Sequence, residues 1–170
     1  MIKVLYVCTG NAARSVMAAA ITEDRAPHID VRSAGTLSIP GLPMSQRTRQ
    51  ALGLLGLARP GHLSHQLEAA DVDWADLLVV FEQSHVRYVR EHHPEGATKT
   101  ASVARLMREL PTRDGSLVDK LGGLGLADIP FEPWEEVVDP AGGDQLVFDE
   151  CAAELSHLLD DFIAVLSSCR

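Results

Sequence analysis

The first twenty-five residues constrain the fold more than any other stretch. Ile2 to Val7 is a short apolar and β-branched run that breaks at Cys8-Thr9-Gly10-Asn11, and Ser15 to Arg25 then reads as an alanine-rich helix. Strand, loop and helix in that order open a sheet whose strands are joined by helical crossovers. The run is too short for a secretory leader and leads directly into a glycine turn, so it reads as a first strand rather than a signal peptide.

The rest of the chain repeats the alternation. A second strand fits Asp30 to Ala34, broken by Gly35, and a helix fits Ser45 to Leu55 with Gly56 as a C-cap candidate. Asp76 to Phe81 (DLLVVF) is nearly continuous in apolar residues, as a strand buried on both faces requires, and Ser84 to Glu91 follows as a helix. Thr98 to Val103 is a weaker fourth strand, and Gln145 to Leu166 carries Leu146, Cys151, Leu155, Leu158, Leu159, Phe162 and Val165 near helical spacing. The expected architecture is α/β, a parallel sheet covered on both faces, in one domain over residues 1–170. Residues 111–143, with their glycines and prolines, read as a long active-site loop with short helical turns. In such sheets ligands bind beyond the carboxyl ends of the strands, where the Cys8 loop would lie.

With 12 arginines in the chain, a Cys-x5-Arg spacing alone carries little, but Cys8 and Arg14 bracket the turn between the first strand and the first helix. A loop there wraps so that successive N–H groups converge on one point, with a helix N-terminus behind them. A phosphate dianion fits that nest. The same field favours the thiolate of Cys8, and Arg14 is able to hold two equatorial oxygens bidentately. Gly10 and Asn11 tolerate left-handed backbone, and Ser15 either donates to the sulfur or caps the helix.

The segment Val7-Cys8-Thr9-Gly10-Asn11-Ala12-Ala13-Arg14-Ser15-Val16 resembles the signature V-C-x-G-N-x-C-R-S-P of low-molecular-weight protein tyrosine phosphatases. Ser33-Ala34-Gly35-Thr36 is similar to that family's second-strand motif, Asp73 to His85 to its third strand and following turn, and Asp139-Pro140 to its general-acid motif. The resemblance implies a three-layer α/β/α sandwich around a four-stranded parallel sheet, of the flavodoxin-like kind. It also implies a two-step hydrolysis without cofactor or metal. Cys8 would be the nucleophile, Arg14 the phosphate clamp and Asp139 the general acid, with Thr9, Gly10, Asn11, Ala12, Ala13 and Ser15 around the phosphate. Its substrates would be phosphorylated proteins, phosphotyrosine first, or small phosphomonoesters, with inorganic phosphate as a ligand.

The sequence departs from the family pattern in several places. Ala13 replaces a second cysteine able to trap oxidised Cys8 as a disulfide, and Val16 replaces a proline. The loop LSIPGLPMS after Thr36 and the run Ala141-Gly142-Gly143 lack the aromatic residues frequent there, which weakens stacking on a phosphotyrosine ring. The Asp-Pro-x-Gly-Gly form is more similar to a bacterial branch that includes phosphoarginine phosphatases, although Ala12 stands where those have threonine. Trp134 is either a substitute wall or a buried anchor for its loop.

Other classes are weighed by the cysteines, the histidines and the charge. Asn11 to Ala18 also resembles arsenate reductases, but no cysteine falls between Phe81 and His93, so a second thiol would have to come from outside the chain. Cys151 lies on the apolar stripe of the last helix, and Cys169 reads as an exposed terminal thiol. A binding module that kept the loop and lost catalysis would not need Cys8, Arg14 and Asp139 together. The histidines show no metal-site spacing, and His65 is a candidate support for the active-site loops. A net charge of −9 argues against nucleic-acid binding, and no run approaches the ~18 apolar residues of a membrane span. Three widely spaced cysteines without a C-x-x-C pair fit a cytoplasmic setting.

Overall fold

A computed structural model describes residues 1–169. Four parallel strands, β1 (Lys3–Cys8), β2 (Asp30–Gly35), β3 (Leu77–Val80) and β4 (Thr100–Ser102), form one sheet in the order β2-β1-β3-β4. The helices are α1 (Arg14–Arg25), α2 (Gln46–Leu54), α3 (Ala69–Trp74), α4 (Gln83–His92), α5 (Val103–Glu109), α6 (Leu117–Gly122) and α7 (Gln145–Ser167).

Strand periodicity divides the core. In β1, Val4, Tyr6 and Cys8 face one apolar cluster, shared with α1, α5 and α7, while Leu5 and Val7 face the other, closed by α3 and α4. All four residues of β3 are buried, as its unbroken apolar run requires of a central strand. The alanines of α1 let it pack closely between the sheet and α7, and Val16 to Ile21 are buried around its whole circumference.

The expected elements are present with shifted ends. The fourth strand is three residues long, and β3 begins after Asp76, whose amide instead bonds Lys3 O at 2.9 Å. Val103, expected in the fourth strand, and residues 104–109, unassigned in the sequence, form α5 behind an N-cap at Ser102, whose hydroxyl accepts from Arg105 N at 3.1 Å. Residues 111–143 hold α6 and a short turn at Pro133–Glu135.

Two cysteine and tryptophan expectations need correction. Cys169 is buried in the main apolar cluster, just past the end of α7, with its amide on Leu166 O at 3.0 Å and its Sγ on Val165 O at 3.3 Å. Trp134 is 45% exposed and is no buried anchor; its ring lies over the guanidinium groups of Arg105 and Arg108. Cys151 is buried on the apolar stripe as expected, and burial pushes its thiol up to about 12. Among the described residues no helix is long and apolar enough to cross a membrane.

Candidate active site

Cys8 ends β1 in register with Gly35 of β2, so the loop Thr9–Ala13 leaves the carboxyl edge of the sheet before α1 begins at Arg14. A side chain at Gly35 would put its Cβ 2.5 Å from Thr9 O and 3.0 Å from Asn11 N. The second-strand motif therefore clears space for the loop's backbone. Asn11 takes the left-handed conformation, at φ 50°, and is the only non-glycine to do so among the described residues. Gly10 keeps out of the positive-φ region, contrary to the expectation, and fronts open space.

Ser15 sits against the thiol rather than on the helix cap. Its Oγ accepts from Asn11 Nδ2 at 2.9 Å and lies 3.0 Å from Cys8 Sγ, where its own proton is free to donate to a thiolate. Helix α1 has no side-chain cap and no acid in its first turn. Its free amides leave the positive end of the dipole facing the loop. Buried Arg14 brings a guanidinium to the same place, with Nε unpartnered in the protein interior. A buried charged donor without a partner is costly, and an oxyanion in the loop would supply one.

Distant segments brace the loop. Thr48 of α2 donates to Ala12 O at 2.7 Å, His62 Nε2 donates to Asn11 O at 2.9 Å, and the backbone of His65 donates to Asn11 Oδ1 at 2.9 Å. The expected support from His65 thus comes from its amide, while its ring pairs with Asp71 at 2.6 Å. His85, fully buried, receives the Phe81 amide at Nδ1, which leaves Nε2–H to donate to Thr9 Oγ1 at 3.0 Å. Burial, and then the charge of Arg14, push His85 down to about 4 against the opposing pull of Glu82.

Arg14 meets Glu82 Oε2 at 2.7 Å and Val137 O at 3.0 Å through Nη1, and Asp139 Oδ2 at 3.0 Å through Nη2. The structure thus brings Asp139 onto the guanidinium of Arg14 from a segment more than a hundred residues away. Glu82 and His85 were not picked out as site residues. Both fall just after β3, at the strand end where α/β sites form, and that position was the available signal. Burial raises the Glu82 carboxyl, but hydrogen bonds from Ser84 and Arg14 outweigh this and hold it below its ordinary range.

The segments after Thr36 and after Asp139 carry aliphatic residues and glycines in place of aromatic ones. Leu37, whose amide donates to Thr9 O at 2.9 Å, is 79% exposed and Ile39 is 69% exposed. Ala141 and Gly142 are also exposed, with the Ala141 amide on Asp139 Oδ1 at 3.1 Å. Among the described residues no group of three or more His, Cys, Asp or Glu side chains forms a metal site.

A thiol and an arginine sharing one amide-lined loop at the carboxyl edge of a parallel sheet define a class of protein, the cysteine-based phosphatases. Residues 3–119 match the family model described as low molecular weight phosphotyrosine protein phosphatase. A protein-arginine-phosphatase of Geobacillus stearothermophilus is 33% identical over 122 residues, covering 71% of this chain and 80% of that one. A probable low molecular weight protein-tyrosine-phosphatase, EpsP of Ralstonia solanacearum, is 36% identical over 107 residues, covering 62% and 72%. The solved YwlE arginine phosphatase from Geobacillus stearothermophilus superposes with a TM-score of 0.79 at 28% identity, covering 99% of this chain and 94% of that one. The chain belongs to the low-molecular-weight phosphotyrosine protein phosphatase family, hydrolases of phosphoric monoesters. Asp139 lies beyond the matched residues, and its place in the site rests on its contact with Arg14.

Proposed function

We propose that this chain, acting as one domain, removes phosphate from phosphorylated protein side chains through a phosphocysteine. Cys8 attacks phosphorus in line as a thiolate, and an S–P bond forms as the bond to the leaving group breaks. Loop amides, the α1 N-terminus and Arg14 take the charge on the equatorial oxygens, and Asp139 gives its proton to the leaving atom. Asp139, then a carboxylate, draws a proton from the water that displaces sulfur and releases inorganic phosphate. The observation that carries this reading is the buried, unpartnered Nε of Arg14 in the same loop as Cys8.

Phosphotyrosine is the first substrate reading, from the family. Phosphoarginine is the second, favoured by the lack of aromatic residues in the segments after Thr36 and Pro140 and by the arginine phosphatase relative. Arsenate reduction is less well supported. Cys151 and Cys169 are both buried, so that reaction would need a thiol from outside.

The test is turnover of phosphotyrosine, phosphoserine and phosphoarginine peptides by the wild-type protein and Cys8→Ser, with arsenate-dependent thiol oxidation as a parallel assay. Loss of all turnover in Cys8→Ser with retained oxyanion binding is the expected result. Unchanged turnover would sink the mechanism, and the peptide preference decides between the two readings.

A further inference from the structure

Asp139 has a half-exposed side chain and few contacts of its own, so the backbone that carries it must determine where it points. That backbone is tied down four residues earlier. Glu135 is 3% exposed, and its carboxylate accepts Ser102 Oγ at 2.8 Å, Arg105 Nε at 2.8 Å, Arg105 Nη2 at 2.7 Å and Glu132 N at 2.7 Å. Burial raises its carboxyl, but hydrogen bonds from Arg105, Glu132 and Ser102 outweigh this and keep it ionised. A buried ion pair of this kind gives little net stability over an apolar pair, which leaves geometric definition as its use.

The tie reaches the site in two short steps. From Glu135 the chain runs to Val137, whose amide donates to Phe81 O at 2.9 Å and whose carbonyl receives Arg14 Nη1 at 3.0 Å. Two residues further stands Asp139, which Pro140 biases toward extended backbone. The segment thus joins the end of β4 to both the guanidinium and the carboxylate.

We infer that the Glu135 carboxylate, clamped by Arg105 and Ser102, is a positioning residue for the proton donor, holding the Val137–Asp139 segment so that Asp139 reaches the leaving atom. This rests on Asp139 being the general acid. A misplacement of about 1 Å far from the reacting atoms is enough to cost on the order of a hundredfold. The effect should fall chiefly on substrates that need the acid, with only a small loss shared by all through the Val137 O contact to Arg14 Nη1.

The experiment compares kcat/KM for phenyl phosphate, a poor leaving group, and p-nitrophenyl phosphate, a good one, across Asp139→Asn, Glu135→Gln and the double variant. Asp139→Asn is read first, and a loss equal on both substrates would refute the acid assignment itself. Given selectivity there, Glu135→Gln is expected to lower phenyl phosphate turnover roughly tenfold or more while p-nitrophenyl phosphate stays within about threefold. The double variant should then be no slower than Asp139→Asn alone, since both changes remove one function. Equal losses on both substrates in Glu135→Gln, or full additivity with Asp139→Asn, would overturn the inference. Arg105→Lys, which keeps the charge and removes the planar fork, is read by the same criteria if Glu135→Gln does not fold.

Discussion

Arg14 Nη2 and Asp139 Oδ2 stand 3.0 Å apart, so a carboxylate is set against the guanidinium that an incoming phosphate needs. A bound dianion must share that cation and face that anion. Asp139→Asn is therefore expected to bind phosphate or vanadate about threefold to tenfold tighter than wild type, although it turns over more slowly. Inhibition constants at fixed pH give the answer, and weaker binding by the variant would contradict the arrangement.

Glu82 holds the other terminal nitrogen of Arg14 at 2.7 Å and is itself partly open to solvent. Glu82→Gln keeps the shape and loses the charge. Its expected cost is about 1–2 kcal/mol in stability, with kcat/KM falling about tenfold through a less well-fixed clamp. Denaturant unfolding and steady-state kinetics on p-nitrophenyl phosphate measure the two effects, and unchanged kinetics would remove Glu82 from the site.

His85 titrates at about 4 in the folded chain against an ordinary value of 6.5. Between those values the unfolded chain takes up a proton that the folded chain refuses, so stability falls as pH drops from about 6.5 toward 4 and gains no further loss from this group below that. The groups facing the ring are Arg14, Glu82 at 4.0 Å, the Thr9 hydroxyl and the Phe81 amide. The full difference amounts to about 3 kcal/mol. Thermal unfolding across this range should be distinctly flatter for His85→Gln than for wild type; equal slopes would assign the acid sensitivity elsewhere.

Gly35→Ala places a methyl group 2.5 Å from Thr9 O, and the obstacle is backbone rather than a side chain that could rotate away. The loop must shift. The expected result is a loss of about 1–3 kcal/mol and at least a tenfold fall in kcat/KM. Wild-type activity in that variant would show that the close approach is dispensable.

These contacts explain what the sequence could and could not reveal. The loop from Cys8 to Ser15 was legible because its residues are adjacent and strand, turn and helix leave local marks in composition. Gly35 and Asp139 were legible through motif order, but the reason for Gly35, space for the backbone of Thr9 and Asn11, lies in strand pairing that local sequence does not encode. Glu82, His85 and Glu135 serve partners 68, 76 and 30–33 positions away. Polar residues in such roles resemble surface residues until the sheet order is known. Cys169 differs from expectation for a related reason, since position near a chain end says nothing about which cluster the residue packs into.

The bracing of the Cys8 loop also makes the site a property of the whole sheet. Its shape depends on contacts from Thr48, His62, His65 and His85, which arrive from the second and third crossovers. An N-terminal fragment emerging from synthesis carries the nucleophile and the arginine long before it carries the groups that shape the loop around phosphate. The groups that shape the loop are therefore in place only once β3 and α4 have docked, so catalytic competence depends on the assembled sheet rather than on the segment that bears the thiol.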